Sequence, residues 1–260
     1  MIIQIYEIQS PAEANALIEL GVDHTGSVIV SETEWKVPEI RETLEVVRSS
    51  SAKSSLIPLF NRLDSVLRAL DYYQPDIIHF CEALTAHQDV WAYCQRLIQL
   101  QQDVKLRFPL IRIMRSLPIV PAGVENSIPT LKISRWFEPS SDFFLTDTML
   151  VGQSGKDDNK QPENGFVGIT GQTCNWDTAA DLVAASRIPV ILAGGVSPDN
   201  VADGIARVRP AGVDSCTLTN ARDDNGLPIR FKKDLSKVKL LIDAVRQAEK
   251  NMMGSKVQGS

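Results

Sequence analysis

Residues 189–201 read Pro-Val-Ile-Leu-Ala-Gly-Gly-Val-Ser-Pro-Asp-Asn-Val. A short apolar, β-branched run stops at Gly194-Gly195, and Ser197-Pro198-Asp199-Asn200 carries the residues that open a helix. The stretch is a strand, a tight turn and a helix start. The same unit recurs outward in both directions. Strands are expected over 2–6, 27–30, 55–60, 76–81, 108–114, 142–147, 189–193 and 212–218. The intervening helices are expected from Ser10-Pro11-Ala12-Glu13 to Leu20, then over 37–48, 62–72 and 88–102, with a short element near 132–137 and a last helix over 234–250. Strands that alternate with helices pack in parallel through crossovers. Eight units in this length predict a single-domain α/β (β/α)8 TIM barrel over 1–250. An open doubly wound sheet is the competing arrangement, but no dinucleotide fingerprint follows the first strand.

Residues 152–165 hold almost no apolar side chain and are expected to form a polar lid or a disordered loop after strand six. Residues 251–260 are expected to be a flexible tail. The 260 residues are 43% hydrophobic and 23% charged, enough for a sizeable core. A net charge of -5 argues against nucleic acid or an anionic membrane as partner, since both need a basic face. No run reaches the ~20 apolar residues of a membrane span, and no signal peptide is expected at the N-terminus. Cys81, Cys94, Cys174 and Cys216 are scattered without a C-x-x-C pair, so neither a zinc site nor a disulfide framework is expected. The cytoplasm is the expected location.

Candidate chemistry gathers at the strand ends. Glycines there let backbone N–H groups approach an anion, and barrels bind phosphate around strands seven and eight. Gly194 and Gly195, with Gly171 of Gly168-Ile169-Thr170-Gly171, fit that role; tight turns with no ligand are the plainer reading. His79 and Cys81 share one strand face and should both point inward. They are candidates for acid–base or nucleophilic work, against a hydrogen-bonded histidine beside a small buried cysteine.

These stretches carry a resemblance. Residues 189–201 are similar to the strand-seven signature of phosphoribosylanthranilate isomerases, P-x-I-L-A-G-G-L-x-P-x-N-V. The run from Gly168 to Trp176 resembles that family's G-G-T-G-x-x-F-D-W, Gly21-Val22-Asp23 with Gly26 its G-A-D-x-x-G, Leu145-Thr146-Asp147 its L-L-D, and Lys233-Asp234 its closing K-D. The match is dense from Asp142 to Val245 and thin but collinear before that. The resemblance implies a barrel enzyme of tryptophan biosynthesis that isomerises a phosphorylated aminoaldose to an aminoketose, an Amadori rearrangement, with no cofactor and no metal. It implies Asp147 as the acid that opens the sugar ring. A small phosphorylated metabolite is the implied partner, and a monomer or homodimer the expected assembly.

Three positions depart from the family's pattern. Its K-I-C-G reads Gln4-Ile5-Tyr6-Glu7 here, so Tyr6 stands where the resemblance implies the cysteine base. A tyrosine of pKa about 10 is a poor base near neutrality, which leaves Tyr6 a ligand contact or filler. Strand alternation points Glu7 away from the barrel axis if Tyr6 points in. The S-x-R after strand two, whose arginine the resemblance assigns to the anthranilate carboxylate, reads Thr33-Glu34-Trp35 and is followed by Lys36; Trp35 and Lys36 are the substrate-binding candidates left. The S-S-G of strand eight reads Cys216-Thr217-Leu218, and only Thr217 keeps a hydroxyl for phosphate. Arg112 and Arg115, expected near the end of strand five, could each add positive charge to the mouth or lie solvated, with Arg112 taken as a substrate-binding candidate. The primary expectation is an isomerase of changed ligand with Asp147 as acid and a base other than cysteine. The alternatives are an inactive barrel that binds a phosphorylated ligand or a protein partner, and an authentic phosphoribosylanthranilate isomerase with a substituted base.

Overall fold

The computed structural model describes residues 1–150 and 161–257. Eight parallel strands close into a barrel in chain order. They are β1 (Ile2–Tyr6), β2 (His24–Ile29), β3 (Lys53–Pro58), β4 (Ile77–Phe80), β5 (Arg112–Ile119), β6 (Phe143–Thr148), β7 (Val190–Leu192) and β8 (Gly212–Ser215). Closure is between β1 and β8, with Ile3 opposite Val213 and Gln4 opposite Asp214. The helices are α1 (Pro11–Leu20), α2 (Pro38–Arg48), α3 (Leu63–Tyr73), α4 (Val90–Arg107), α5 (Thr130–Phe137), α6 (Trp176–Ala185), α7 (Val201–Val208) and α8 (Leu235–Val257). Among the described residues no helix is long and apolar enough to cross a membrane.

Local chemistry sets the boundaries. Ser10 caps α1 by accepting from the Glu13 N–H at 3.3 Å, Pro11 occupies its first turn, and Gly21 ends it in the left-handed region at φ 92°. Asn175 caps α6 by accepting from the N–H groups of Asp177 and Thr178. Strand alternation then sorts the side chains. Ile3 and Ile5 of β1 and Ile78 and Phe80 of β4 pack outward under the helices, while Tyr6, Ile77 and Cys81 enter the barrel.

Several boundaries differ from the reading of the sequence. β2 begins at His24, three residues before the expected start. The apolar run over 108–114 is not a strand throughout: α4 continues to Arg107, Phe108 caps it, and Ile111 N–H turns back onto the Phe108 carbonyl at 3.2 Å. β5 therefore starts at Arg112, which lies at the strand's entry, opposite Ile77 and away from the mouth. Arg115 faces the helix layer, fully buried, donating to Gln101 Oε1 at 2.7 Å, ion-paired with Glu82 and packed between Phe80 and Phe137. β8 stops at Ser215 rather than 218, and a 3-10 turn over Thr217–Thr219 leads into an unforeseen hairpin, β9 (Asn220–Arg222) with β10 (Pro228–Lys233). α8 runs past residue 250 to Val257.

Most of the expected lid over 152–165 lies outside the described residues, as does the end of the expected tail at 258–260. The described part of that loop crosses to the end of β4, where Ala83 N–H meets the Gly165 carbonyl and Val167 N–H the Cys81 carbonyl, each at 2.8 Å.

Candidate active site

The strand ends, the loop after β6 and the 3-10 turn line a pocket that opens to solvent and holds about 690 Å³ of space, open solvent included. Asp147, from the end of β6, faces it. Thr148 N–H donates to its Oδ1 at 2.9 Å, and burial pushes the carboxyl up to about 7. Its other oxygen lies against Gly168, where an added Cβ would stand 2.4 Å from Oδ2 and the backbone has φ 109°. Only glycine fits there, on both steric and conformational grounds. An acid poised near neutrality is what protonation of a leaving ring oxygen requires.

The glycine turns surround the opposite wall. Gly194 and Gly195 hold φ of 86° and 63°, and a Cβ on Gly195 would meet the Thr173 nitrogen at 2.4 Å and the Gln172 carbonyl carbon at 2.5 Å. Asn200 fixes this turn by accepting from Ser197 N–H at 2.9 Å and donating to the Gly195 carbonyl at 2.8 Å. Gly171, at φ 65°, sits against Thr217: a Cβ there would be 3.4 Å from its Cγ2. Leu218 also lines this wall. The structure thus brings Gly171, Gly194, Gly195 and Thr217 into one cavity with Asp147.

On the β1–β4 side the surface is made of side chains. Tyr6 is buried against Gly26, whose added Cβ would lie 2.0 Å from the ring. Its hydroxyl bonds Ser55 Oγ at 2.6 Å and His79 Nδ1 at 2.7 Å, and His79 Nε2 bonds Ser116 Oγ at 2.8 Å. Burial raises the Tyr6 hydroxyl well above its ordinary value and lowers His79 to about 3, with the Arg115 charge a smaller cause for His79. The histidine is neutral and the tyrosine protonated. This chain of hydrogen bonds is a satisfied polar floor, the plainer of the two readings of His79. Cys81 also reaches the cavity, but burial first, then the Glu82 and Asp147 charges, push its thiol up, so it is no nucleophile near neutrality.

Two carboxyls escaped the reading of the sequence. Glu7 lies in the left-handed region at φ 64°, which breaks strand alternation and turns the side chain into the cavity instead of away from it. Its Oε1 accepts from Arg230 Nε of β10 at 2.7 Å, and Arg230 also ion-pairs Glu163. The hairpin thereby straps the end of β1 to the loop after β6. Asp214 of β8 is buried, accepts from Gln4 Nε2 at 3.2 Å and faces the same cavity. Burial, with the Asp147 charge adding, pushes it up to about 8. A signal for it existed: it lies two residues before Cys216, on the same inward strand face.

The substrate-binding candidates lie elsewhere. Trp35 packs edge-on against Tyr72 at 5.7 Å between centroids, and the Lys36 ammonium sits 4.9 Å from the centre of the same ring, because the loop after β2 folds down onto α3. Arg112 is at the barrel's other end. Among the described residues no three metal-binding side chains converge.

Residues 123–244 match the family model described as N-(5'-phosphoribosyl)anthranilate (PRA) isomerase. An isomerase of that name from Methanocella arvoryzae is 31% identical over 145 residues, 56% of this chain, which spans 55% of that relative. N-(5'-phosphoribosyl)anthranilate isomerase 1 of Methanosarcina mazei is 27% identical over 95% of each chain. The solved structure of the Pyrococcus furiosus isomerase superposes with a TM-score of 0.64 at 19% identity, covering 95% of this chain and 99% of that one, and shares the fold.

Proposed function

We propose, from a chain that belongs to the N-(5'-phosphoribosyl)anthranilate isomerase family, that this protein isomerises a small phosphorylated aminosugar by acid–base chemistry with Asp147 as the acid. The observation that carries the reading is a carboxyl held near 7 in one cavity with three left-handed glycine turns. The N–H groups around Gly171, Gly194 and Gly195, with the Thr217 hydroxyl, would take the phosphate. Asp147 gives its proton to the ring oxygen as the C1–O bond breaks and the nitrogen lone pair forms C1=N. Loss of the C2 proton then moves the double bond to C1=C2, with its electrons returning to nitrogen, and reprotonation at C1 with loss of the C2 hydroxyl proton gives the ketone. Tyr6, His79 and Cys81 are too tightly protonated or too weakly basic for the C2 step. The acceptor left facing the cavity is the carboxyl of Glu7, since burial pushes Asp214 up to about 8 and keeps its proton on near neutrality. Cytoplasmic location and a monomer or homodimer complete the proposal.

The test is turnover of N-substituted 5-phosphoribosylamines, followed by the C2 carbon resonance as it becomes a ketone. The wild-type protein should convert at least one of them, and Asp147→Asn should lose that conversion while still binding ribulose 5-phosphate. No conversion and no ribulose 5-phosphate binding would overturn the reading and favour a barrel with another task.

A further inference from the structure

We infer that the nitrogen substituent of the ligand is apolar and uncharged, and that the mouth selects against the carboxylate an anthranilate ring carries. The inference rests on the proposed function and narrows its substrate class. Beyond the phosphate wall, the cavity surface is Val28, Ile57, Leu59 and Leu145, with the floor closed by Tyr6. Three carboxyls, Glu7, Asp147 and Asp214, face the same space, and no described lysine or arginine does.

The described cations nearby are held by other groups, with Arg230 Nη2 and Arg115 Nη2 left without a hydrogen-bond partner among the described residues. Arg230 is held between Glu7 and Glu163. The Lys233 ammonium donates to the Cys216 carbonyl at 3.0 Å and to Asn220. Lys36 covers Tyr72, and Arg115 is sealed behind β5 with Glu82. A carboxylate brought onto this lining would leave water among Val28, Ile57, Leu59 and Leu145 with no described cation there to receive it, in surroundings that already push the Asp147 and Asp214 carboxyls toward their neutral forms. A buried charge needs a partner. A bare ring or alkyl group meets only apolar wall, and gains from leaving water.

The experiment compares two unreactive probes by calorimetry: 1-anilino-1-deoxyribitol 5-phosphate and its ortho-carboxy counterpart. The carboxyl-free probe should bind tighter by about tenfold or more, and Leu59→Arg, at a half-buried position, should narrow or reverse that preference. Equal affinities, or tighter binding of the carboxylated probe, overturn the inference and leave the proposed function standing. If neither probe binds and ribulose 5-phosphate does not bind either, both fall. If ribulose 5-phosphate binds and neither probe does, the substituent class alone is wrong.

Discussion

On the β6–β8 side of the mouth, the ligand-facing surface is largely backbone: Gly168, Gly171, Gly194 and Gly195 hold left-handed conformations, and added Cβ atoms at 168, 194 and 195 would collide with Asp147, Thr148 and residues 172–173. On the β1–β4 side it is side chain: Tyr6, His79 and Cys81, backed by Ser55 and Ser116. Both sides are buried and well bonded, yet they tolerate change differently. A backbone surface has few substitutes, because only glycine adopts those angles without strain. A side-chain surface can be rebuilt so long as every buried polar atom finds a partner. The β6–β8 side holds the glycines that resemble the family's pattern, and the opposite side is built around Tyr6.

The comparison can be broken in several places. The largest effect should come from Asp147→Asn, which removes the acid: turnover should fall by about 10²-fold or more with little change in the circular dichroism spectrum. Because the acid must hold its proton, wild-type turnover should decline as pH rises through about 7. Gly195→Ala comes next, since its new methyl meets backbone rather than a mobile side chain. It should weaken ribulose 5-phosphate binding by about tenfold and cost about 2 kcal/mol in denaturant melts. An alanine accepted there without loss would mean the turn is not rigid.

A third probe is pH against stability. Burial raises Asp147 and Asp214 in the folded chain from the ordinary 3.8 to about 7 and about 8, so the folded state keeps protons the unfolded state has released. Their contribution is full below about pH 4 and is lost as pH climbs through about 7 and then about 8. Asp214→Asn, which carries no charge, should match the wild type near pH 4 and exceed it near pH 9 by about 2 kcal/mol. Arg230→Met sharpens the comparison from the other edge. It leaves Glu7 buried without its ion pair and should cost about 1 kcal/mol, with the hairpin amides exchanging faster. The smallest effects belong to Lys36→Ala and Arg112→Ala, which should alter ligand affinity less than about twofold, because neither side chain reaches the cavity.

What the sequence disclosed follows the same division. The βα order, the Gly194-Gly195 turn and Asp147 at a strand end are local patterns, and the barrel and the glycine turns at its mouth were readable from them. Glu7 was not, because alternation governs only while φ stays extended, and at φ 64° its side chain turns into the cavity and pairs with Arg230 of a hairpin more than 200 residues away. Arg112 sits before the expected strand end because Phe-Pro-Leu-Ile, strand-like in composition, caps α4 and turns instead, so β5 begins only at Arg112. Trp35 and Lys36 follow the loop onto Tyr72, a contact no spacing rule foretells. Asp214 obeys the alternation, two residues before Cys216 on one inward strand face.

The central claim is that the glycine side of the mouth still holds phosphate within reach of Asp147. A crystal soaked in ribulose 5-phosphate tests it most directly. The phosphate should lie against Gly171, Gly194, Gly195 and Thr217, with the sugar turned toward Asp147. A phosphate bound elsewhere, or a mouth that stays free of ligand at saturating concentration, would contradict it.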